Sequence, residues 1–394
     1  MAGTSEDVII VGAGIGGLTL ALGLMRNGQA VKIVESAQKL SEVGAGISLP
    51  PNALKILWRL GLRDKLAPLV CLPEYGEIRV GESGDVIGTT PFGDALVKRY
   101  GAPYAQLHRA DLQEVLIAAV LEQDANCLHL NSPVETCDHT PDGAVAGVRT
   151  GDVVSQVSGR ILIACDGIRS AVRNQLFGSE PPEFTRHVAW RCIIPVDDLP
   201  ASVRERISVV QIGHRRQLSY YPIRNGELLN CVAFVGDSDW REESWSQRGD
   251  VGELRSLFSH FDARACAVLS AVPQDACFKW AIYDRAPLKI WCDHNIALLG
   301  DAAHPMTPYL GQGAAMAIED AFVLANALTR AGSVADAFAA YESQRVERAN
   351  WTLRESRAAG RRFQDANPDA SRFDNDQAMQ ADRMFSYEPQ GSYQ

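Results

Sequence analysis

A chain of 394 residues, 46% hydrophobic and 22% charged, has material for a large α/β unit or two domains. Its net charge of −10 argues against nucleic acid and against attraction to an anionic membrane, and no stretch nears the ~20 apolar residues of a membrane span. The N-terminal residues 1–7 lack the basic region of a signal peptide, and nine dispersed cysteines without a C-x-x-C fit reduced thiols in a cytoplasm better than a disulfide framework or metal site.

The first segment with chemistry in it is Asp7-Val8-Ile9-Ile10-Val11-Gly12-Ala13-Gly14-Ile15-Gly16-Gly17. A β-branched run predicts a strand, the glycines a tight turn, and the residues to Arg26 a helix stopped by Asn27-Gly28. A second strand, Ala30 to Val34, ends on Glu35. Strand, turn, helix, strand and terminal acid are the context that a dinucleotide fingerprint requires. Gly12 would allow the turn, Gly14 a close backbone approach to pyrophosphate, and Gly17 close helix–strand packing, while Glu35 would accept from ribose hydroxyls. The pattern does not separate NAD from FAD.

Gly44 and Gly46 predict a backbone passing close to something flat or bulky, just ahead of Ser48 and an amphipathic helix from Ala53 to Leu60. Residues 70–100 read as short strands with turns. His108-Arg109-Ala110-Asp111-Leu112 opens a helix, where an arginine opposes the helix dipole unless it reaches an anion; a solvated arginine is the alternative. Strands are predicted from Leu128 to Val134 and from Ala144 to Val148. A buried strand then ends at Asp166-Gly167, the end at which parallel sheets bind ligands; Asp166 as a helix N-cap is compatible with that role. From about 180 to 285 the runs alternate, predicting a mostly antiparallel, aromatic-rich sheet fit to wall a pocket. Another buried strand ends in Gly300-Asp301, and a Pro/Gly-rich loop with Gly311 and Gly313 leads into a helix. Val334 to Phe363 reads as helix, and the residues from Gln364 as a poorly ordered or surface-wrapping tail.

The glycine fingerprint with Glu35, Asp166-Gly167, and Gly300-Asp301 with Gly311-Gln312-Gly313 stand here in one order. That set resembles the single-component FAD-dependent aromatic hydroxylases, in the branch of salicylate hydroxylase, 3-hydroxybenzoate 6-hydroxylase and 6-hydroxynicotinate 3-monooxygenase, over residues 5 to about 350. The resemblance implies an α/β fold. Residues 1–70, 101–180 and 286–345 would form a Rossmann-like FAD-binding domain. Residues 71–100 and 181–285 would form an inserted, mostly antiparallel β-sheet substrate domain, with 346–394 as a C-terminal helix and tail.

For the cofactor, the resemblance implies that Gly12, Gly14 and Gly17 line the FAD pyrophosphate and that Glu35 holds the adenosine ribose. Arg109 would reach the phosphate or ribityl region, and Asp301 the ribityl or pyrophosphate part. The loop from Pro305 to Ala314 would lie along the isoalloxazine, with Gly311, Gly313 and Ala314 offering N–H groups. Gly46 joins this set, and Asp166 belongs to a motif linked to both FAD and NAD(P)H. The implied chemistry is reduction of FAD by NADH or NADPH, addition of O2 to give a flavin C4a-hydroperoxide, and transfer of OH to a carbon ortho or para to a phenol oxygen.

On the substrate side, Ser48, Arg215, Tyr221 and Pro308 are expected to meet a small aromatic molecule, with Tyr221 and Gln217 in the catalytic places. Tyr221 as a core strand residue and Arg215 as a solvated hairpin residue are the alternatives. Relatives carry a histidine where Gln217 stands, and the hydroxynicotinate enzyme another at Ser48, so neither histidine arrangement carries over. The resemblance implies a salicylate- or hydroxybenzoate-like phenolic acid as substrate; a hydroxylated N-heterocycle, which the missing histidines disfavour, and a non-catalytic flavin-binding module are the other readings. No metal, nucleic acid or membrane partner is expected, and a homodimer only by analogy with the family.

Overall fold

The apolar run Val8–Val11 is the centre of a six-stranded sheet ordered Cys292–Asp293, Ile296–Leu298, Ile161–Ala164, Val8–Val11, Val31–Val34, Leu128–His129. The computed structural model describes residues 8–40, 45–151, 153–178, 180–242, 247–363 and 375–389. All neighbours in this sheet are parallel except the edge pair Cys292–Asp293 with Ile296–Leu298. Its inner strands Val8–Val11, Ile161–Ala164 and Ile296–Leu298 are apolar throughout because both faces are covered. Helix Ile15–Arg26 packs between helices Gly313–Arg330 and Arg109–Gln123, and a three-stranded antiparallel sheet (Val134–Thr140, Gly143–Thr150, Val153–Gly159) packs against the parallel sheet. In register, Val11 lies beside Val34 and Ala164, and Ala164 beside Leu298. The strands thus end level, and the turns at Gly12, Asp166 and Gly300 emerge side by side although 288 positions (12 to 300) separate the first from the last.

A second sheet has seven strands, ordered Cys277–Asp284, Glu183–Pro195, Leu228–Val235, Arg216–Ile223, Ser208–Gly213, Tyr75–Val80, Val86–Pro91. It is antiparallel apart from the pair Ser208–Gly213 with Tyr75–Val80. Alternation sorts its side chains. Trp190, Cys192, Leu218, Tyr220 and Cys231 join a core that includes Val251, Leu254, Ala265 and Val268 of the helices Val251–Leu257 and Ala263–Ser270. Arg191, Gln217, Ser219, Tyr221, Val232 and Phe234, on the other face, look toward the parallel sheet across a cavity. A ribbon of Gly46–Leu49 paired with Ala105–His108 ties the two sheets together: the Gly46 amide donates to Asn230 Oδ1 (2.7 Å) and Gln106 Nε2 to Ser208 Oγ (2.5 Å).

Several expectations need correction. Within 70–100, Gly93–Tyr100 is a helix rather than a strand. The run from Leu128 to Val134 is two strands, Leu128–His129 and Val134–Thr140, and the unforeseen Val153–Gly159 completes a meander whose outer residues are too polar to show a buried face. The helix Val334–Phe363 is where the sequence puts it. Beyond it, residues 364–374 and 390–394 lie outside the described residues, but Asn375–Phe385 is a helix docked on the surface rather than a poorly ordered tail. It buries Met384 and Phe385 against Leu96 and Tyr100 at one end, too little apolar surface to leave a period in the sequence. No helix among the described residues is long and apolar enough to cross a membrane.

Candidate active site

A cavity of about 1020 Å³ runs between the level strand ends of the parallel sheet and the inner face of the seven-stranded sheet. In one half, Gly12 holds φ +102° and a Cβ there would meet the Cys165 carbonyl oxygen at 2.5 Å, so only glycine makes this turn. A Cβ on Gly14 would meet nothing within 4 Å; the loop opens on the cavity there, and as N-cap Gly14 leaves the first amides of helix Ile15–Arg26 uncapped by any side chain. Gly17 is placed differently. Its Cβ would come within 2.1 Å of the Gly12 carbonyl oxygen, and it sits at the helix–strand contact rather than in the cavity wall. Glu35 accepts from the Ala13 amide through Oε2 (2.7 Å) and from the Ala37 amide through Oε1 (2.7 Å). Gln113, not foreseen, braces the same loop by donating from Nε2 to the Ala13 carbonyl (3.0 Å).

Asp166 accepts from the Ala171 amide through Oδ2 (2.9 Å), while its buried Oδ1 has no protein partner. Burial raises its pKa against the Ser170 hydroxyl and nearby amides, which hold it down. The cap role and a cavity-facing role thus coexist. Asp301 lines the cavity too; its carboxyl is raised by desolvation, opposed by the charges of His304 and Arg109. Arg109 also lines the cavity, and its amide donates to the Ala45 carbonyl (2.8 Å).

The Gly300-Asp301 turn is held from behind by a buried ionic cluster that sequence reasoning missed. Asp320 Oδ2 accepts from the Gly300 amide (3.1 Å) and meets His304 Nε2 (2.5 Å), while its Oδ1 accepts from Arg345 Nε (2.7 Å). Arg345 also donates from Nη1 to Glu319 (2.5 Å), which Arg348 and Asn52 hold as well. Desolvation raises the pKa of Glu319 and of Asp320, but the opposed charges win and both carboxyls lie below their ordinary values. The signal was a Glu-Asp pair in an otherwise apolar helix, which needs a buried cation. After this turn, Pro305 is buried behind the wall, whereas Pro308, Gly311, Gly313 and Ala314 line the cavity.

In the other half, Ser48, Tyr104 and Tyr221 line the cavity together; burial raises the pKa of both tyrosines, and the nearby Ser48 hydroxyl opposes that rise. Gly46 lines the cavity here, and the bulky neighbours its sequence predicts are Tyr221 and Asn230: a Cβ would lie 2.7 Å from Tyr221 Cε2 and 2.6 Å from Asn230 Cγ. Gln217 is buried in the wall, donating from Nε2 to Ser219 Oγ (2.8 Å). Arg215 is not in the cavity. It turns the hairpin at φ +54°, half exposed and ion-paired with Asp237. On the inner face of the seven-stranded sheet the wall carries Arg191, 3% exposed, its guanidinium 4.5 Å from the Trp280 ring centroid. Strand alternation around Trp190 and Cys192 was the sign that Arg191 faces the other way. Away from the cavity, Asp293 bridges His139 (3.0 Å) and His294 (2.7 Å) in a surface cluster whose ligand atoms lie within 4.8 Å of one another.

A parallel sheet with a glycine turn and an acid at the end of its second strand, open at its strand ends onto a cavity closed by an antiparallel sheet, is the build of a two-layered nucleotide-cofactor enzyme. The uncapped helix start, the bare Gly14 and the unpartnered Asp166 oxygen fit a dinucleotide cofactor such as FAD. A family model described as FAD binding domain matches residues 5–356, and the chain belongs to that family. It is 33% identical over 385 residues to the 3-amino-4-hydroxybenzoate 2-monooxygenase PtmB3 of Streptomyces platensis, covering 96% of this chain and 94% of that protein. To the 3-hydroxybenzoate 6-hydroxylase of Klebsiella oxytoca it is 34% identical over 352 residues, 88% of this chain and 87% of the relative. Among solved structures, Klebsiella pneumoniae HpxO complexed with FAD and uric acid shares the fold at a TM-score of 0.82 and 24% identity, over 97% of this chain and 93% of that one. The chain is an FAD-dependent aromatic-ring monooxygenase, using NAD(P)H and O2.

Proposed function

We propose that this enzyme hydroxylates a small phenolic acid held in the half of the cavity bounded by Ser48, Tyr104 and Tyr221. The observation that carries this reading is the grouping of three hydroxyls, those of Ser48, Tyr104 and Tyr221, in one stretch of the cavity wall. Phenols whose pKa is raised by burial stay neutral at pH 7 and keep a proton to donate. A donor from Tyr221 to the substrate's phenol oxygen stabilises the negative charge that grows there as the ring becomes nucleophilic. Gln217, beside it through Ser219, orients the same wall. The hydroxybenzoates in the names of two relatives support an acid as substrate.

In this reading residues 1–70, 101–180 and 286–345 hold the cofactor and 71–100 with 181–285 the substrate. Bound FAD, reduced by NAD(P)H, supplies the activated oxygen. The Gly12–Gly14 turn and the helix after it take the pyrophosphate, and Glu35, whose carboxylate has acceptor sites beyond two amide bonds, takes the adenosine ribose. Arg109, Asp166 and Asp301 position the middle of the cofactor. The amides from Gly311 to Ala314 stabilise negative charge on its ring.

The test is a panel of hydroxybenzoates and hydroxypyridines given to the yellow, FAD-loaded protein, with NAD(P)H oxidation and products followed. A phenolic acid should quicken the oxidation and leave hydroxylated. Preference for hydroxypyridines would transfer the reading to N-heterocycles, and protein that takes up no FAD would remove it.

A further inference from the structure

Resting on the function proposed above, we infer that Arg191 binds the carboxylate of the substrate, and that the preferred acids carry carboxylate and hydroxyl across the ring, meta or para, rather than side by side. Arg191 is a cation carried on the inner face of the seven-stranded sheet. It is 3% exposed yet in the cavity wall, and its guanidinium carbon lies over the Trp280 ring, 4.5 Å from the centroid. A guanidinium in the wall of a largely buried cavity has a planar fork that matches a carboxylate, and the site's desolvation strengthens that pairing.

The register fixes where this cation lies relative to Tyr221. Arg191 pairs with Val232 and Val232 with Ser219, so Arg191 shares a cross-strand row with Ser219, two strands away. Tyr221 is the next residue along on the same face. Their backbones are thus about 10 Å apart across the sheet and about 7 Å along it. The side chains also lean apart: Tyr221 lies against Gly46 and reaches Ser48, while Arg191 lies over Trp280 on the outer strand Cys277–Asp284. One ring can span these two ends only if its polar groups point in different directions. In an ortho hydroxy acid the two groups are adjacent and turn to the same side.

The test compares 3- and 4-hydroxybenzoate with their neutral amides, and with salicylate and salicylamide, on the FAD-loaded enzyme. Binding is read by quenching of tryptophan fluorescence, Trp280 being in the wall, and by KM for the stimulated NAD(P)H oxidation. The unaltered enzyme should bind the meta or para acid about 10- to 100-fold more tightly than its amide, the span expected for a charge-assisted bond. Arg191→Gln should bring acid and amide within about 3-fold of each other at unchanged FAD affinity, and Arg191→Lys, a check on folding, should keep part of the preference. Equal binding of acid and amide, an undiminished preference in Arg191→Gln, or the tightest binding from salicylate would overturn the inference while leaving a phenol hydroxylase intact. No stimulation by any aromatic would instead remove the function on which it rests.

Discussion

Tyr221 owes its place to a missing side chain. Gly46 passes so close that a methyl group would lie 2.7 Å from the Tyr221 ring and 2.6 Å from Asn230, which also accepts from the Gly46 amide. Gly46→Ala is expected to cost about 1–3 kcal/mol of stability, the range for overpacking, and to turn the phenol away from Ser48. Thermal melting should register the first effect, and a loss of substrate-stimulated NAD(P)H oxidation larger than any loss of FAD affinity the second. Tyr221→Phe removes the donor without the clash. Its kcat/KM should fall about 10- to 100-fold, the worth of one hydrogen bond to a charged group, with FAD affinity unchanged by titration. Since burial raises the phenol's pKa above 10.0, the unaltered enzyme's rate should show no basic limb from Tyr221 between pH 7 and 9. A rate unchanged in the phenylalanine variant would deny Tyr221 any part in the reaction.

At the level of elements, the strand end at Gly300 and the helix Gly313–Arg330 are locked together by ions the solvent does not reach. Arg345, from the long helix Val334–Phe363, satisfies Glu319 and Asp320 at once, and Asp320 passes the restraint to His304 and the Gly300 amide. Removing the cation leaves two buried carboxylates short of a partner, so Arg345→Met should lose about 3–5 kcal/mol. The sign of the pH effect follows from the depressed carboxyls. Their stabilisation is complete above the ordinary values of 4.5 and 3.8 and drains away as pH falls through the lower folded ones. Without Arg345 that depression shrinks to what Arg348 and His304 still supply, and burial weighs more heavily toward protonation, so acid unfolding should begin at higher pH. Trp291, whose ring is 4.9 Å from His304, gives a fluorescence signal for it. The turn itself was legible, because Gly-Asp after an apolar run and glycines ahead of a helix are local signals. Arg345 was not: one arginine among many in a charged helix shows its burial only through the acids it faces.

Across the whole molecule the cavity is a meeting of faces, and faces meet by contacts that no window of sequence contains. The parallel sheet could be read strand by strand because each of its four inner strands carries its own mainly apolar run and ends in its own motif. Which hairpin arginine turns outward and which strand arginine turns in depends on pairing over dozens of residues, so Arg215 was chosen where Arg191 lies. The C-terminal helix was lost for the same reason. It serves as backing for the substrate half: Phe92 and Tyr104 stack at 4.5 Å, and Phe385 leans on Tyr104 at 6.0 Å and on Tyr100 at 5.8 Å. Tyr100 further holds the helix by donating to Asp382 (2.9 Å), and Arg348 donates to the Met384 carbonyl (2.9 Å). Phe385→Ala deletes a ring from a small cluster near the surface, so its cost should fall near the lower end of the ~3–5 kcal/mol for such changes, and most of it should appear as undocking of this helix. Limited proteolysis should then cut near residue 375 in the variant well before the unaltered protein. Because Tyr104 loses its support while the glycine turn and Asp301 lie in the other half of the cavity, KM for the aromatic substrate should rise about 10-fold, some 1.4 kcal/mol, with FAD affinity unmoved. Faster cleavage with an unaltered KM would make this helix a surface brace alone, and a parallel loss of FAD would mean that the two halves of the cavity are held as one.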